Sequence, residues 1–448
     1  MRMAVHGKIP TDLSLLSEVI MKHSFVPLIL SLLLYGCVME PVKPVKMEVN
    51  EKGGKKKLTL MVYMAADNDL ESYALQNLNL METADYEGIN VLVLIDRAEG
   101  YDETDGNWTD TRLYKVCNDD NESARIVSER LDCPTLGLSK YSPTELDMAN
   151  PSVLSNFIKF CRKEYPADEY ALIIWGHGTG WRYSPGLNTN ESNSRAFAID
   201  DKTDSYMSVH DLGNAVLNQN LSIIGFDTCF AGVLENVYEL KNCSEFTVAC
   251  AGVTPSIGWN YKELLEKICS EDFSSFSIAK AMAVSSPVHT TVFINENLQL
   301  LINSFEEFSK ALSQSIQNDR QRKQVFDLLL GLKSYSYTQY PCDMYLDLSA
   351  LADAYLVNNE NALKSAAKDF KEKISETVCS INNQPCQIGV HFIPLVSQKT
   401  TASVHSADYI KNPNRIDQCQ FIKQSNWWVP TVEGTSGSLL DKLFYNGV

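Results

Sequence analysis

Two short apolar runs, each ended by a turn that contains glycine, constrain this chain more than any other feature. Positions 221–226 read Leu-Ser-Ile-Ile-Gly-Phe and lead into Asp227-Thr228-Cys229-Phe230-Ala231-Gly232. Positions 170–175 read Tyr-Ala-Leu-Ile-Ile-Trp and lead into Gly176-His177-Gly178-Thr179-Gly180. Runs this short and this apolar predict strands buried on both faces, as in a parallel sheet covered by helices. A helix predicted over 233–240 sets Cys229 past the carboxyl end of a strand and near a helix amino terminus, where a thiolate is stabilised. Open α/β sheets bind ligands at strand carboxyl ends. If the two strands are parallel and close in one sheet, His177 and Cys229 emerge at the same edge.

His177 precedes Cys229 by about 50 residues, the order and spacing of histidine and cysteine in caspases. The stretches LTLMVYMAADNDLE, NVLVLIDR, PADEYALIIWGHGTGW, AIDD, IIGFDTCFAGVLE and GWNY, in that order, resemble the clostripain-like cysteine peptidases, relatives of gingipains, legumains and caspases. The resemblance spans 58–261 and implies a caspase-like α/β fold, with a mostly parallel sheet flanked by helices. It also implies a cysteine endopeptidase that works through a Cys-His dyad and cleaves after Arg or Lys. The alternative from another functional class is a catalytically silent surface binding protein on the same fold. Retention of both His177 and Cys229 speaks against it.

Amide hydrolysis needs a nucleophile, an acid/base and donors for the oxyanion. Cys229 is the candidate nucleophile and His177 the candidate acid/base. The backbone N–H groups of Gly178 and Cys229 are the expected oxyanion donors, with Gly178 letting the main chain come close to substrate. His210 and His289 are the competing bases, but neither follows a strand with glycine on both sides. The resemblance assigns Asp227 to the pocket for a basic side chain, where a carboxylate pairs a guanidinium through two hydrogen bonds. The alternative is an Asp that braces the turn by accepting from backbone N–H groups. Trp259 and Tyr261 are candidate lining residues of that pocket, or else core residues. Segment 252–260 has no acid, with Asn260 where the family often carries Asp. No G-x-S-x-G or H-E-x-x-H element is present, which argues against serine esterase and zinc protease chemistry.

The net charge of −17 disfavours nucleic acid and anionic membrane surfaces, leaving protein or peptide substrates as the expected partners. Residues 1–37 read as a signal peptide. An apolar run at 25–35, too short to span a bilayer, ends in Leu34-Tyr35-Gly36-Cys37. That ending resembles a bacterial lipobox and makes Cys37 a candidate lipidation site. Membrane contact is then expected only through that anchor, on an extracytoplasmic protein; a plain secretory peptide is the alternative. Residues 38–57 read as a solvated tether. The peptidase domain is expected over 58–294, and a C-terminal α/β extension over 295–448. Of the twelve cysteines none forms a CxxC or zinc-type spacing, so no metal is expected at the catalytic site. No cofactor is needed for the chemistry. The acidic loop 96–110 offers Asp96, Glu99, Asp102, Glu103, Asp105 and Asp110, and the family resemblance makes Ca2+ a candidate ligand there. The spacing is not that of an EF-hand, and a solvated acidic loop is the alternative reading.

Overall fold

The computed structural model describes residues 55–120, 125–183, 195–336, 344–357, 359–379, 381, 387–392, 419–427 and 439–444. The signal segment with Cys37 and most of the tether lie outside the described residues.

The strand β1, Lys56–Ala66, is an interior strand of a nine-stranded sheet. Nearly every residue in it is apolar, and successive side chains feed opposite faces. Met61, Tyr63 and Ala65 belong to one core cluster, whereas Leu58, Leu60, Val62 and Met64 belong to the other. On one side of β1 lies β2 (Ile89–Arg97), and on the other a further parallel strand, Ala167–Trp175. Two short antiparallel strands, β3 (Arg112–Lys115) and β4 (Glu129–Arg130), close the β2 edge. Thus Ala167–Trp175 is β5. It pairs in parallel with Ile223–Asp227, the run expected at 221–226. Between them the chain forms a small antiparallel sheet of β6 (Gly178–Tyr183), β7 (Arg195–Asp200) and β8 (Ser205–Met207), which makes Ile223–Asp227 β9. The strands β10 (Phe246–Ala249) and β11 (Thr291–Ile294) continue the large sheet beyond β9.

Helices cover both faces, as near-continuous apolar strands require. The helices α1 (Glu71–Glu82), Tyr261–Ser270 and Ser275–Val284 bury Leu75, Leu78, Leu264, Ile268 and Met282 on one face. On the other, α2 (Pro151–Glu164) starts where the Asn150 side chain accepts from Ser152 N–H and Pro151 occupies the first turn. It buries the stripe expected of it: Val153, Leu154, Phe157, Ile158 and Cys161. Val209–Val216 and Leu234–Leu240, α3 and α4, pack on the same face.

Residues on either side of position 294/295 share a core. Phe226 and Val233 fall in one cluster with Phe305 of the helix Leu298–Ser315, Phe370 of the helix Asn361–Thr377, and Tyr345. A strand at Val378–Cys379 joins the large sheet, while Ser334–Tyr335, Met344–Asp347 and Gly389–Phe392 form a third sheet. The described part of 295–448 closes over the cysteine side of the sheet. No described helix is long and apolar enough to cross a membrane.

Candidate active site

Parallel pairing sets the register of the site. Trp175 of β5 lies opposite Asp227 of β9, so His177 and Cys229 each stand two residues beyond a matched pair of strand ends. Trp175 is also opposite Met64 of β1, which brings the segment after β1 to the same edge. The strands β1, β5 and β9 are consecutive in the sheet and deliver Asp69, His177 and Cys229.

The histidine and cysteine segments touch. A Cβ placed on Gly178 would lie 2.3 Å from the Cys229 carbonyl oxygen and 2.9 Å from the Thr228 Cβ. Only glycine permits that approach. Gly180 is also enforced: its φ is +77°, and a Cβ there would meet the Tyr345 hydroxyl at 2.1 Å. That hydroxyl donates to the Thr179 carbonyl at 2.8 Å, so a residue far along the chain braces the turn after His177.

Cys229 is half-buried. The Thr254 N–H donates to its Sγ at 3.3 Å, and the thiol faces the Thr254 carbonyl at 3.5 Å. An N–H aimed at sulfur favours the thiolate. The expected helix amino terminus does not supply that stabilisation. Leu234–Leu240 starts five residues beyond Cys229, and Cys229 sits in a turn whose next residue, Phe230, has a φ of +53°. Dipole effects fade within the first turn, so this expectation is corrected in favour of the Thr254 main chain.

His177 Nε2 lies 2.6 Å from Asp69 Oδ1, and the imidazole is about one-third exposed. Among the described residues, no hydrogen bond engages Nδ1. The hydrogen bond to His177 holds the Asp69 carboxyl below the usual carboxylate range. Reading the sequence as a dyad missed Asp69. Its signal was the polar Asp67-Asn68-Asp69 directly after an apolar strand. The Asn68 amide fixes that segment by donating to the Ala65 and Ile199 carbonyls. A carboxylate on the far nitrogen orients an imidazole and fixes its tautomer. Asp69→Asn is expected to lower kcat by about tenfold with KM nearly unchanged, and Asp69→Glu to restore part of it. Steady-state kinetics on one peptide substrate decide this, and an equal effect on KM would exclude a positioning role.

The competing histidines are elsewhere engaged. His210 bonds Glu239 and Asn214, and His289 is a half-buried residue whose pKa is lowered by burial and by Lys333.

The three residues assigned to the substrate pocket are buried. Asp227 Oδ2 accepts from the Trp259 N–H at 2.9 Å and from the Tyr261 hydroxyl at 3.0 Å. It therefore braces the 252–260 loop, as its structural alternative required. Its Oδ1 is buried without a hydrogen-bond partner. Burial pushes the Asp227 carboxyl up to about 7. Trp259 and Tyr261 are core residues and not an exposed lining. The indole of Trp259 packs on Gly225, where an added Cβ would lie 2.9 Å from its ring, and this explains the glycine within β9. Around them Asn77 accepts from Trp175 Nε1 and donates to the Ile257 carbonyl, tying α1 to the same loop.

The acids of the 96–110 loop do not converge. Asp102 accepts from the Thr104 N–H, Asp105 from Trp108 Nε1 and the Ile126 N–H, and Asp110 pairs with Arg112 and Arg130. Among the described residues, Asp96 groups with two carboxylates from outside that loop, Asp67 and Glu145.

Fold and site together define a caspase-like α/β protein with a histidine and a cysteine on one sheet edge. The clostripain family profile, peptidase family C11, matches residues 62–380, and the chain belongs to that family. It is 28% identical to clostripain of Hathewaya histolytica over 238 residues, which cover 49% of this chain and 43% of clostripain. The chain thus matches less than half of that relative's length. Among solved structures it is similar to an inactive zymogen C11 protease from Parabacteroides distasonis, with a TM-score of 0.54 and 17% identity over 81% of this chain and 98% of that one. It is also similar to a secreted C11 cysteine protease from Bacteroides thetaiotaomicron in complex with an irreversible peptide inhibitor, with a TM-score of 0.53, 17% identity and the same coverage. At that identity the two structures establish the caspase-like fold.

Proposed function

We propose that this protein is a cysteine endopeptidase in which Cys229 is the nucleophile and His177 the acid/base. The observation that carries the reading is the matched emergence of the two residues from adjacent parallel strands, with Gly178 packed on the Cys229 main chain. The Cys229 thiolate attacks the scissile carbonyl carbon. The oxyanion forms against the N–H groups of Gly178 and Cys229. His177 gives its proton to the leaving amine, and the acyl group stays on sulfur as a thioester. Water then attacks the thioester, His177 takes a proton from it, and the thiolate leaves. Asp69 holds the ring throughout. Sequential use of one imidazole as acid and then base requires this fixed orientation.

For specificity the proposal is a basic residue at P1 paired with Asp227. The support is its place two residues before the nucleophile and its unpartnered buried Oδ1, an acceptor that a guanidinium or ammonium would satisfy. Bracing the loop with Oδ2 and receiving a cation at Oδ1 are compatible roles for one carboxylate.

The raised Asp227 pKa gives this a pH signature. A group protonated up to about pH 7 in the folded protein, but ionised from about pH 4 in the unfolded chain, makes folding less favourable as pH rises between those values. Asp227→Asn is therefore expected to raise the melting temperature more at pH 8 than at pH 5. The penalty it relieves is on the order of 4 kcal/mol. In the parent enzyme, preference for P1 Arg over P1 Gln should grow as pH rises through 7, because only the ionised acid pairs a cation. A positional peptide library assayed at both pH values tests this. A flat, low preference for basic P1 would leave the turn-bracing role alone.

Extracytoplasmic location and lipid anchoring at Cys37 belong to the same proposal. Metabolic labelling with a fatty-acid analogue, compared with Cys37→Ser, tests the anchor.

A further inference from the structure

The turn after His177 and the turn after Cys229 meet one side chain from a distant part of the chain. Tyr345 lies in the strand Met344–Asp347, outside the 58–294 span expected for the peptidase domain, and is fully buried. Its hydroxyl donates to the Thr179 carbonyl at 2.8 Å. It also fills the space beside Gly180, where a Cβ would stand 2.1 Å from the hydroxyl oxygen and 2.7 Å from the ring carbon that bears it. The ring lies against the Phe230 ring, with centroids 5.5 Å apart. One residue therefore touches both halves of the site. Its hydroxyl meets the segment that carries His177 and Gly178, and its ring meets the residue after Cys229.

Phe230 needs such a partner. Its φ of +53° is a left-handed conformation that costs energy for any residue with a Cβ. A backbone of this kind persists where its surroundings over-determine it. Here the Phe230 N–H donates to the Gly252 carbonyl at 2.8 Å, Asn236 Nδ2 donates to the Phe230 carbonyl at 3.2 Å, and the side chain is fully buried. Tyr345 is itself fixed. Its strand pairs with Gly389–Phe392, and a Cβ on Gly389 would stand 2.8 Å from the Tyr345 Cβ. The Gly389 N–H donates to the Gly232 carbonyl at 3.1 Å, so the same sheet holds the far end of the cysteine turn. Beyond Gly180, Trp181 packs edge-on to His391, the cross-strand partner of Tyr345.

We propose that Tyr345 is a positioning residue for the peptidase reaction. Its hydroxyl holds the turn that presents the Gly178 N–H to the oxyanion, and its ring holds the left-handed turn that presents Cys229. This role rests on the peptidase reading. A donor N–H stabilises the oxyanion only at hydrogen-bond distance, so a shifted turn slows acyl transfer and leaves ground-state binding nearly unchanged.

The experiment compares full-length Tyr345→Phe and Phe230→Leu with the parent, well below the melting temperature of each. Peptide turnover reads acyl transfer. Alkylation of Cys229 by iodoacetamide, followed by mass spectrometry of its peptide, reads the thiolate without an oxyanion. Tyr345→Phe keeps the ring and removes the hydroxyl. It is expected to lower kcat about tenfold, with KM within about twofold of the parent and the rate of Cys229 alkylation unchanged. Phe230→Leu removes the ring contact beside the nucleophile and is expected to change the alkylation rate as well as kcat. A parental kcat in Tyr345→Phe, whatever its melting temperature, overturns the proposal and leaves Tyr345 a core residue. Loss of alkylation in parallel with kcat in Tyr345→Phe also overturns it, because a general loosening of the site and not a held donor then explains the rate. Unchanged kcat and alkylation in Phe230→Leu overturn the part assigned to the ring. A parent that is alkylated at Cys229 but hydrolyses no peptide would instead count against the peptidase reading itself.

Discussion

Cys229→Ala is expected to abolish peptide hydrolysis, with kcat/KM falling by roughly ten-thousand-fold or more and the fold unchanged. In the proposed mechanism the thiol is the group that forms the acyl bond. His177, Asp69 and the oxyanion donors act on that bond and do not replace it. The structural cost is small because Cys229 is half-buried and its sulfur meets the Thr254 main chain through two long contacts, at 3.3 and 3.5 Å. A stability change within about 1 kcal/mol follows. Fluorogenic peptides and a thermal melt, run on the same preparation, separate the two effects. Turnover that survived in the variant would remove Cys229 as the nucleophile, whereas no turnover of any peptide by the parent protein would return the chain to the class of binding proteins. A large drop in melting temperature would mean that the cysteine is structural.

Gly178→Ala should be nearly as damaging by a different route. The added Cβ would stand 2.3 Å from the Cys229 carbonyl oxygen, a backbone atom that no side-chain rotation can clear. The histidine strand and the cysteine turn must separate. A displacement of about 1 Å at a reacting centre costs about a hundredfold in rate. A fall in kcat of at least that size is expected, accompanied by a measurable loss of stability, since overpacking a tight contact costs about 1–3 kcal/mol. The contrast with Cys229→Ala is the informative part: one variant loses chemistry with the fold intact, and the other loses both. A fully active Gly178→Ala protein would show that the two segments do not need this approach, and with it the proposed oxyanion geometry would fall.

Much of the fold was legible because its signals are local. The runs at 170–175 and 221–226 are apolar at nearly every position, and they became β5 and β9. The stripe of α2 was readable because a 3.6-residue period puts Val153, Leu154, Phe157, Ile158 and Cys161 on one side. The Cys229 environment was read less well. The helix expected over 233–240 forms at Leu234–Leu240, but the turn between it and Cys229 was not legible, because Phe230 takes a positive φ there. Nothing in the local pattern of 228–233 announces a left-handed phenylalanine. Segment 178–183 looked like a turn because of its glycines, and it is a strand because β7 pairs with it.

What the sequence determined by itself, then, is the sheet, its burial on both faces, and the placing of a histidine and a cysteine just past strand ends. Periodicity and composition encode such features within a few residues. Only the tertiary structure decided that Asp69 reaches His177, that Asp227 is spent partly on the Trp259 and Tyr261 segment, and that Asp67, Asp96 and Glu145 meet. Each of these depends on which strands are neighbours and in what register. That order is set by burial of the whole core, to which no single stretch of chain contributes enough to fix it alone.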